Sequence, residues 1–251
     1  MGQHPAIARP IAHRGLHNID KGIAENSATA FELAIERGYG IECDLQLSSD
    51  GEAMVIHDDV LDRVAEAKGR VREMTANDIA KIKLSGSSAG DRTLYFAELL
   101  ALVDGRVPVA VEIKAQHDGR NDELVRFAVT VAATYKGLLA FISFDPNILA
   151  LLRKHGFKGP TGIIVERLQS EMALKHLTAW QRFAMRNLLH HFQTRFDLIA
   201  CSHMALTMPS IRLFRALGFP VLTWTIKNEQ EEIRARPHCD QIAFEEYSPL
   251  S

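Results

Sequence analysis

The sequence is poor in several features that mark special classes of protein. It has only three cysteines, Cys43, Cys201 and Cys239, which lie far apart without a C-x-x-C pair. Their number and spacing argue against a disulfide framework or a thiolate zinc site and favour buried, reduced thiols. Basic residues are in no excess either, with 29 Lys+Arg against 31 Asp+Glu. We therefore expect no nucleic-acid partner, and any anionic substrate must be held by a few local cations.

Long apolar runs are also absent. No stretch reaches the roughly 18–20 uninterrupted apolar residues of a membrane span. The first residues, Met1-Gly2-Gln3-His4-Pro5, lack the basic and then apolar order of a secretory signal. We therefore expect a soluble, cytoplasmic protein without a transmembrane segment. The apolar fraction, 47% of 251 residues, is nevertheless enough for a large core in one large domain or two small ones.

One kind of unit repeats along the chain, a short β-branched run followed by an amphipathic helical pattern. The runs predict eight parallel strands, at 7–13, 41–45, 107–113, 138–143, 161–165, 197–201, 220–226 and 240–244. Three helical patterns begin at a cap (Ser27 or Asn26) or a proline and stop at a glycine, over 29–38, 146–156 and 209–218. The repeat predicts an α/β fold, a (β/α)₈ TIM barrel in a single domain over 1–251, with a doubly wound open sheet as the competing arrangement.

One segment interrupts this alternation. The second predicted strand is followed by Ser48-Ser49-Asp50-Gly51 and then by a short apolar run, 53–57. A tight Asp-Gly turn joins only antiparallel neighbours, because a parallel crossover needs a dozen or more residues. The run is therefore predicted to form a hairpin added to the barrel. An insertion over about 58–93 follows, in which Thr75 is predicted to cap a short helix at 76–83.

Charged residues concentrate where the predicted strands end. Side chains at i and i+2 of a strand share a face, so Glu42 pairs with Asp44, and Glu112 with Lys114, at the barrel mouth. Carboxylates held close together repel each other unless a proton or a cation neutralises them. An all-oxygen set suits one hard divalent cation, Mg²⁺ or Ca²⁺, and a solvated or salt-bridged set without metal is the alternative.

Two histidines are predicted at the same mouth. His13 ends the first strand and is followed by Arg14, and His57 ends the hairpin. A histidine with a pKa near neutrality can give or take a proton at working pH. One such residue at a strand end is more often structural, but two beside a metal-type carboxylate cluster favour general acid/base chemistry.

Six short motifs follow one another along the chain: His13-Arg14-Gly15, Glu25-Asn26-Ser27, Glu42-x-Asp44, Asp50-Gly51, His57-Asp58 and Glu112-Ile113-Lys114. In this order and spacing they strongly resemble the glycerophosphodiester phosphodiesterase family. The resemblance continues through Leu61-Asp62-Arg63-Val64 and Thr75 to Ser143-Phe144 and Trp224-Thr225, and so covers nearly the whole chain.

The resemblance implies a metal-dependent phosphodiesterase on a TIM barrel, which releases sn-glycerol 3-phosphate and an alcohol from small glycerophosphodiesters. By position, the implied site residues are the metal ligands Glu42, Asp44 and Glu112, the acid/base pair His13 and His57, the phosphate contacts Arg14 and Lys114, the substrate-stacking Trp224, and the supporting Glu25, Asn26, Asp58 and Phe144. Packing is the alternative role of the two aromatic residues. The alternative activity is a phospholipase D-like attack by an internal hydroxyl on lysophospholipid or sphingolipid head groups. Which histidine is the acid stays open.

Two parts of the chain depart from the family pattern, and a third lies outside it. The family's Thr-Asp-x-Pro ending of the last strand is replaced by Phe244-Glu245-Glu246-Tyr247-Ser248-Pro249, and Ala24 and Ser27 replace the proline and threonine of its Pro-Glu-Asn-Thr motif. The segment 170–195 is long, basic and amphipathic. It predicts a helix that covers the barrel or, alternatively, one that makes weak contact with a membrane surface.

Overall fold

The computed structural model describes residues 5–166 and 178–250. The strands in this part of the chain are β1 (Ile11–Ala12), β2 (Gly40–Leu47), β3 (Ala53–Val55), β4 (Leu94–Tyr95), β5 (Val109–Ile113), β6 (Leu139–Ser143), β7 (Thr161–Val165), β8 (Leu198–Ser202), β9 (Val221–Ile226) and β10 (Gln241–Phe244). The α-helices are α1 (Ala28–Glu36), α2 (Ala76–Ile79), α3 (Phe96–Val103), α4 (Asn121–Ala132), α5 (Pro146–Lys154), α6 (Ala179–Arg186), α7 (His191–Thr194), α8 (Pro209–Ala216) and α9 (Glu229–Ala235).

Eight of these strands form a closed parallel barrel. Around the ring the order is β1-β10-β9-β8-β7-β6-β5-β2, and β1 also pairs with β2, which closes the circle. A doubly wound open sheet would instead have two edge strands, each paired on one side only. The predicted TIM barrel is therefore confirmed, and the competing open sheet is wrong.

The barrel separates two apolar layers because successive side chains of a strand point to opposite faces. Outward-facing residues such as Cys43 and Val111 pack with helix residues such as Phe31 in the larger core. Inward-facing residues, among them Ala110 and Ile142, fill the barrel itself. Toward the carboxyl ends of the strands, charged inward-facing side chains lie above this apolar interior.

The first strand is much shorter than the predicted 7–13. Only Ile11–Ala12 pairs with its neighbours, and Pro5–Ile7 forms a 3₁₀-helix whose last two residues pack inside the barrel. Pro10 has no N–H to donate to a ladder, so regular pairing starts after it. The backbone N–H of His13 then donates to Phe244 O at 3.1 Å, which places this histidine at the mouth.

The predicted hairpin is confirmed and carries one strand more than expected. β3 runs antiparallel to β2, and β4 adds to β3, also antiparallel. Thr75 caps α2 as predicted, because its Oγ1 accepts from Asp78 N at 3.2 Å. The helix ends at Ile79, however, and not at residue 83. Lys83 and Leu84 instead form extended bridges to other parts of the insertion, which competes with helix formation.

The segment 170–195 does not form one long helix in its described part. Residues 170–177 lie outside the described residues, and the remainder forms α6 and α7. Leu188, between them, has a left-handed backbone with φ 57°, which a continuous helix cannot contain. α7 packs against α5 as a covering helix does, whereas α6 has no buried residue. No helix in the described ranges is long and apolar enough to cross a membrane.

Candidate active site

The carboxyl ends of the barrel strands surround a cavity of ≈ 740 Å³. One side of it is charged and is formed by residues at the ends of β1, β2 and β5. The other side is apolar and is lined by Ile142, Ile164 and Leu222 of β6, β7 and β9. The insertion adds Arg63 and Val64 to the wall. This division suits a substrate with a charged centre and a less polar arm.

Three buried carboxylates lie on the charged side. Glu42 and Asp44 share a face of β2, and Asp44 is opposite Glu112 in the pairing of β2 with β5. One oxygen from each carboxylate lies within 4.8 Å of the others. Lys114 Nζ lies 2.8 Å from Asp44 Oδ1 and 2.8 Å from Glu112 Oε1. The cluster that strand alternation predicted is therefore brought together.

The protonation of the three carboxylates reflects burial and mutual repulsion. Burial raises the pKa of Glu42 well above its ordinary value, and the charges of Asp44 and Glu112 raise it further. Burial also raises the pKa of Glu112 to about 6, although Lys114 opposes this rise. Burial disfavours ionised Asp44 too, but Lys114, His57 and Arg14 outweigh it and hold the pKa of Asp44 below its ordinary value. The three carboxylates outnumber the two cations that lie against them, Lys114 and Arg14, and they offer only oxygen donors, so they fit a hard divalent cation.

A tight corner after β1 turns Arg14 toward these carboxylates. Gly15 has φ 79°, and a Cβ there would lie 2.9 Å from the Cβ of Ala30, so glycine is required. Arg14 itself has φ 54°. Its backbone N–H donates to Glu42 Oε2 at 2.9 Å, and its Nη1 donates to Glu25 Oε1 at 3.0 Å. The corner thus orders the Glu42 carboxylate and the Arg14 guanidinium at once.

Asn26 supports the same corner from behind. Its backbone N–H donates to Arg14 O at 2.9 Å, and its Nδ2 donates to Asp44 Oδ2 at 2.9 Å. The next residue, Ser27, caps α1 by accepting from Ala30 N at 3.1 Å. Asn26 therefore holds one oxygen of the Asp44 carboxylate in place, and its supporting role in the site stays a prediction.

His13 contacts two carboxylates, one at each ring nitrogen. Its Nδ1 lies 2.6 Å from Glu245 Oε1, and its Nε2 lies 3.8 Å from Glu42 Oε2. Burial lowers the pKa of His13 below its ordinary value, although the hydrogen bond to Glu245 opposes this. Sequence reasoning missed Glu245 as a contact of the site. The only signal was the replaced motif after the last strand.

His57 is held by a carboxylate that a neighbouring arginine fixes. Its Nδ1 lies 2.5 Å from Asp58 Oδ1. Arg63 donates to both oxygens of Asp58, at 2.7 and 2.9 Å, and to both oxygens of Glu25, at 2.9 and 3.0 Å. Burial opposes ionisation of Asp58, but Arg63 and His57 outweigh it and lower its pKa to about 2. Arg63 belonged to a recognised motif but had no predicted role.

Phe144 and Trp224 form an aromatic pair at the cavity wall. Their rings meet edge to face, with centroids 5.9 Å apart at 83°. The indole Nε1 of Trp224 is buried, and among the described residues no acceptor bonds to it. The pair packs against the barrel interior and also faces the cavity. The packing role is therefore observed, whereas substrate stacking by Trp224 and the supporting role of Phe144 stay predictions.

Comparison with known proteins places this arrangement in a family. Residues 13–242 match the model of the Glycerophosphoryl diester phosphodiesterase family. The chain belongs to this family. A glycerophosphodiester phosphodiesterase of Caldanaerobacter subterraneus is 40% identical over 111 residues, which cover 42% of this chain and 44% of that relative, less than half of its length. One of Bacillus subtilis is 24% identical over 245 residues, covering 88% of this chain and 77% of the relative.

Solved structures share the architecture of this family member. A phosphodiesterase of Oleispira antarctica, in complex with the product sn-glycerol-3-phosphate, has 20% sequence identity and a TM-score of 0.77, with 96% of this chain and 94% of that chain covered. A glycerophosphodiester phosphodiesterase of Thermotoga maritima has 22% identity and a TM-score of 0.71, with 97% and 96% covered. At such identities the likeness establishes the fold alone.

Every residue that the sequence proposed for the site of this phosphodiesterase family member lies at this one mouth. Most of them line the cavity. Asp44, Asn26 and Asp58 lie just behind and contact lining residues through the bonds described above. His17 and Lys227 also line the cavity, and sequence reasoning did not single them out.

Proposed function

We propose that this protein hydrolyses small glycerophosphodiesters to sn-glycerol 3-phosphate and an alcohol, as one cytoplasmic domain over 1–251. One observation carries the proposal: three buried carboxylates have oxygens within 4.8 Å of one another, and two of them, Glu42 and Glu112, line the same cavity as His13 and His57. The family and the product held by the Oleispira relative support it. The apolar side of the cavity leaves space for a less polar part of the substrate.

The charges of the site match a phosphodiester. Glu42, Asp44 and Glu112 are proposed to hold one divalent cation, Mg²⁺ or Ca²⁺. When bound, that cation supplies positive charge to the non-bridging phosphate oxygens. Arg14 and Lys114 are proposed to contact the same phosphate, because both side chains already lie against Asp44, one of the proposed ligands.

The two histidines are proposed to move protons during the reaction. An attacking hydroxyl needs a base, and a departing alkoxide needs an acid, because it is a poor leaving group. His13 and His57 reach the cavity from different elements, so they can serve opposite sides of a phosphate. Trp224 and Phe144 are proposed to form the wall against which the glycerol part stacks.

The proposal is tested by turnover of a panel of glycerophosphodiesters after chelation with EDTA and add-back of Mg²⁺ or Ca²⁺. We expect chelation to abolish activity reversibly. We expect His13→Ala and His57→Ala to lower kcat by about 10²–10⁴-fold with little change in Tm. His238→Ala, at an exposed histidine, is the control and keeps wild-type turnover.

The same reactions separate the alternatives. Glycerol 3-phosphate as the end product agrees with the proposal, and a cyclic phosphate as the end product favours the phospholipase D-like reaction. Activated leaving groups that restore turnover to one histidine variant identify that histidine as the acid. Near-normal turnover of both histidine variants on every substrate would contradict the assigned roles.

We also propose weak contact between α6 and an anionic lipid surface. Trp180 and Phe183 are 67% and 52% exposed, and their rings stack with centroids 5.5 Å apart. The stretch 178–195 contains arginines and no acidic residue. Ser210 Oγ, in the first turn of α8, donates to Arg186 O at 2.9 Å, so α6 ends on the mouth side of the barrel. Exposed aromatic rings beside cations suit a lipid interface.

Sedimentation with vesicles tests this contact. We expect the protein to bind phosphatidylcholine vesicles containing about one third phosphatidylglycerol, and a Trp180→Ala/Phe183→Ala variant to bind at least about fivefold less. Leu213→Ala/Leu217→Ala removes exposed apolar side chains from α8 and from the residue that follows it, and is the matched control. Equal binding by the two double variants, or no binding by the wild type, contradicts the contact.

A further inference from the structure

We infer that Glu245 is a positioning residue that fixes the working nitrogen of His13, an inference that rests on the proposed function. Glu245 Oε1 lies 2.6 Å from His13 Nδ1, and both side chains are mostly buried. An ionised carboxylate only accepts hydrogen bonds, so Nδ1 carries the proton of this contact. The neutral ring then leaves Nε2 unprotonated, on the side that faces Glu42 and the cavity.

Both oxygens of the Glu245 carboxylate have cationic or polar neighbours. Lys227 Nζ lies 3.0 Å from Oε2, and His17 Nε2 lies 3.6 Å from Oε1. The ammonium keeps the carboxylate charged, which makes its hydrogen bond to His13 a charge-assisted one. The orientation of the carboxylate is thus set at both ends before any substrate enters.

The chain that carries Glu245 is itself anchored. The backbone N–H of Glu245 donates to Ile226 O at 3.0 Å, which extends the pairing of β10 with β9. Farther along, Tyr247 Oη and the backbone N–H of Leu250 both donate to Glu232 Oε2, at 2.9 and 3.0 Å. Glu232 lies in α9 and is fully buried. A carboxylate on such a held segment can impose an orientation on a ring.

The two histidines of the site are supported in the same way. His57 Nδ1 meets Asp58, and His13 Nδ1 meets Glu245, so each ring has its Nδ1 on a carboxylate. The support of His57 comes from the adjacent residue. The support of His13 comes from the far end of the chain, at the place where the family's usual ending is replaced.

Kinetics of three variants test the inference in the metal-loaded enzyme. We expect Glu245→Ala to lower kcat by about 10²–10⁴-fold, in the range seen when the carboxylate behind a catalytic histidine is lost. KM is expected to change less than about threefold, because Glu245 does not contact the phosphate. Glu245→Asp keeps a carboxylate acceptor and is expected to recover most of the lost kcat. Glu245→Gln replaces the alanine variant in the test if that variant does not fold. Glu229→Gln, an exposed charge loss on α9, is the control.

A spectroscopic readout separates positioning from a general structural role. Long-range ¹H–¹⁵N spectra of ¹⁵N-histidine-labelled protein report which ring nitrogen carries the proton, and the His13 signals are assigned by their loss in His13→Gln. We expect Nδ1–H in the wild type and a mixture of tautomers in Glu245→Ala. An unchanged tautomer, or a kcat within twofold of wild type, overturns the inference. If the tautomer differs between the wild type and Glu245→Ala but the wild type hydrolyses no glycerophosphodiester, the proposed function is overturned and the positioning role stands.

Discussion

Lys114 partly neutralises the carboxylate cluster of the site. Its ammonium lies 2.8 Å from an oxygen of Asp44 and from an oxygen of Glu112. Burial disfavours a charged lysine, but these two carboxylates outweigh it and raise the pKa of Lys114 above its ordinary value. Lys114 is therefore charged at neutral pH, and it shares with a bound cation the oxygens that would ligate that cation.

Removing this ammonium should lower catalytic efficiency without weakening cation binding. We expect Lys114→Met to lower kcat/KM by about 10²-fold or more, because one proposed phosphate contact is lost. Cation affinity should stay equal or rise, because the ammonium no longer competes for Asp44 and Glu112. Steady-state kinetics and calorimetric titration with Mg²⁺ and Ca²⁺ measure both quantities. Lys136→Met, at an exposed lysine, is the control, and a joint loss of activity and cation binding would contradict this account.

Among the secondary-structure elements, the insertion after the hairpin shapes the site through one arginine. Arg63 bridges Asp58, which holds His57, and Glu25, which holds Arg14. Two bidentate contacts need the planar guanidinium fork, which lysine lacks. The insertion is therefore coupled through a single side chain to His57 and to Arg14, the cation proposed to contact the phosphate.

This coupling predicts an asymmetric response to a conservative change. We expect Arg63→Lys to lower kcat about tenfold, because His57 loses the fixed carboxylate behind it. Arg70→Lys makes the same change in the same insertion at an exposed ion pair with Asp59, and it should leave kcat unchanged. Turnover at saturating substrate is the measurement. Equal losses in the two variants would show that the insertion acts only through its general stability.

The corner between β1 and α1 should tolerate no side chain at Gly15. Gly15→Ala would place a Cβ 2.9 Å from Ala30 Cβ in a left-handed backbone, whereas Gly90, with φ 74°, has open space around the same position. We expect Gly90→Ala to cost about 1 kcal/mol from backbone strain alone. Gly15→Ala should cost clearly more and also reduce kcat, because Arg14 moves. Urea unfolding and turnover of both variants check this, and equal unfolding free energies would argue against the clash.

On the scale of the whole molecule, an almost neutral chain contains a strongly polarised mouth. The formal net charge is −2. Barrel closure collects acidic groups from β2 and β5 and basic groups from the ends of β1 and β5 at one end, while the interior beneath them is apolar. Composition averages over the molecule and so cannot show this separation.

We expect His190, near α7, to contribute to the acid stability of the whole molecule. Burial lowers the pKa of His190 to about 4, and the neighbouring His191 lowers it further. In the unfolded chain the His190 ring takes up a proton near pH 6.5, whereas in the folded protein this ring stays neutral until about pH 4. The stabilisation is therefore complete above pH 6.5 and is lost as the pH falls toward 4.

We expect the Tm of the wild type to fall by about 2–4 °C more than that of His190→Gln between pH 7.5 and pH 5. The glutamine variant has no ring to protonate, so it lacks this part of the pH dependence. Thermal unfolding followed by circular dichroism measures the difference. His238→Gln, at an exposed histidine, should behave as the wild type, and parallel pH profiles for the wild type and His190→Gln would exclude the effect.

The local sequence pattern alone predicted the strand faces and the starts of several helices. Alternation along a strand put Glu42 with Asp44, and Glu112 with Lys114, because the direction of a strand side chain depends only on its own backbone. Caps and prolines likewise predicted where α1, α5 and α8 begin. The extent of the first strand was wrong, because ladder pairing depends on partners far away in the sequence.

The long-range contacts were decided only by the closed barrel. His13 and Glu245 are 232 residues apart, and they meet because β10 pairs with β1 to complete the ring. The left-handed break at Leu188 divides a segment that periodicity alone would make continuous. Sequence by itself determined the residue types, the strand faces and the order of the motifs, since these are local properties. Tertiary structure decided which carboxylate supports which histidine, since that depends on distances between segments that only folding brings together.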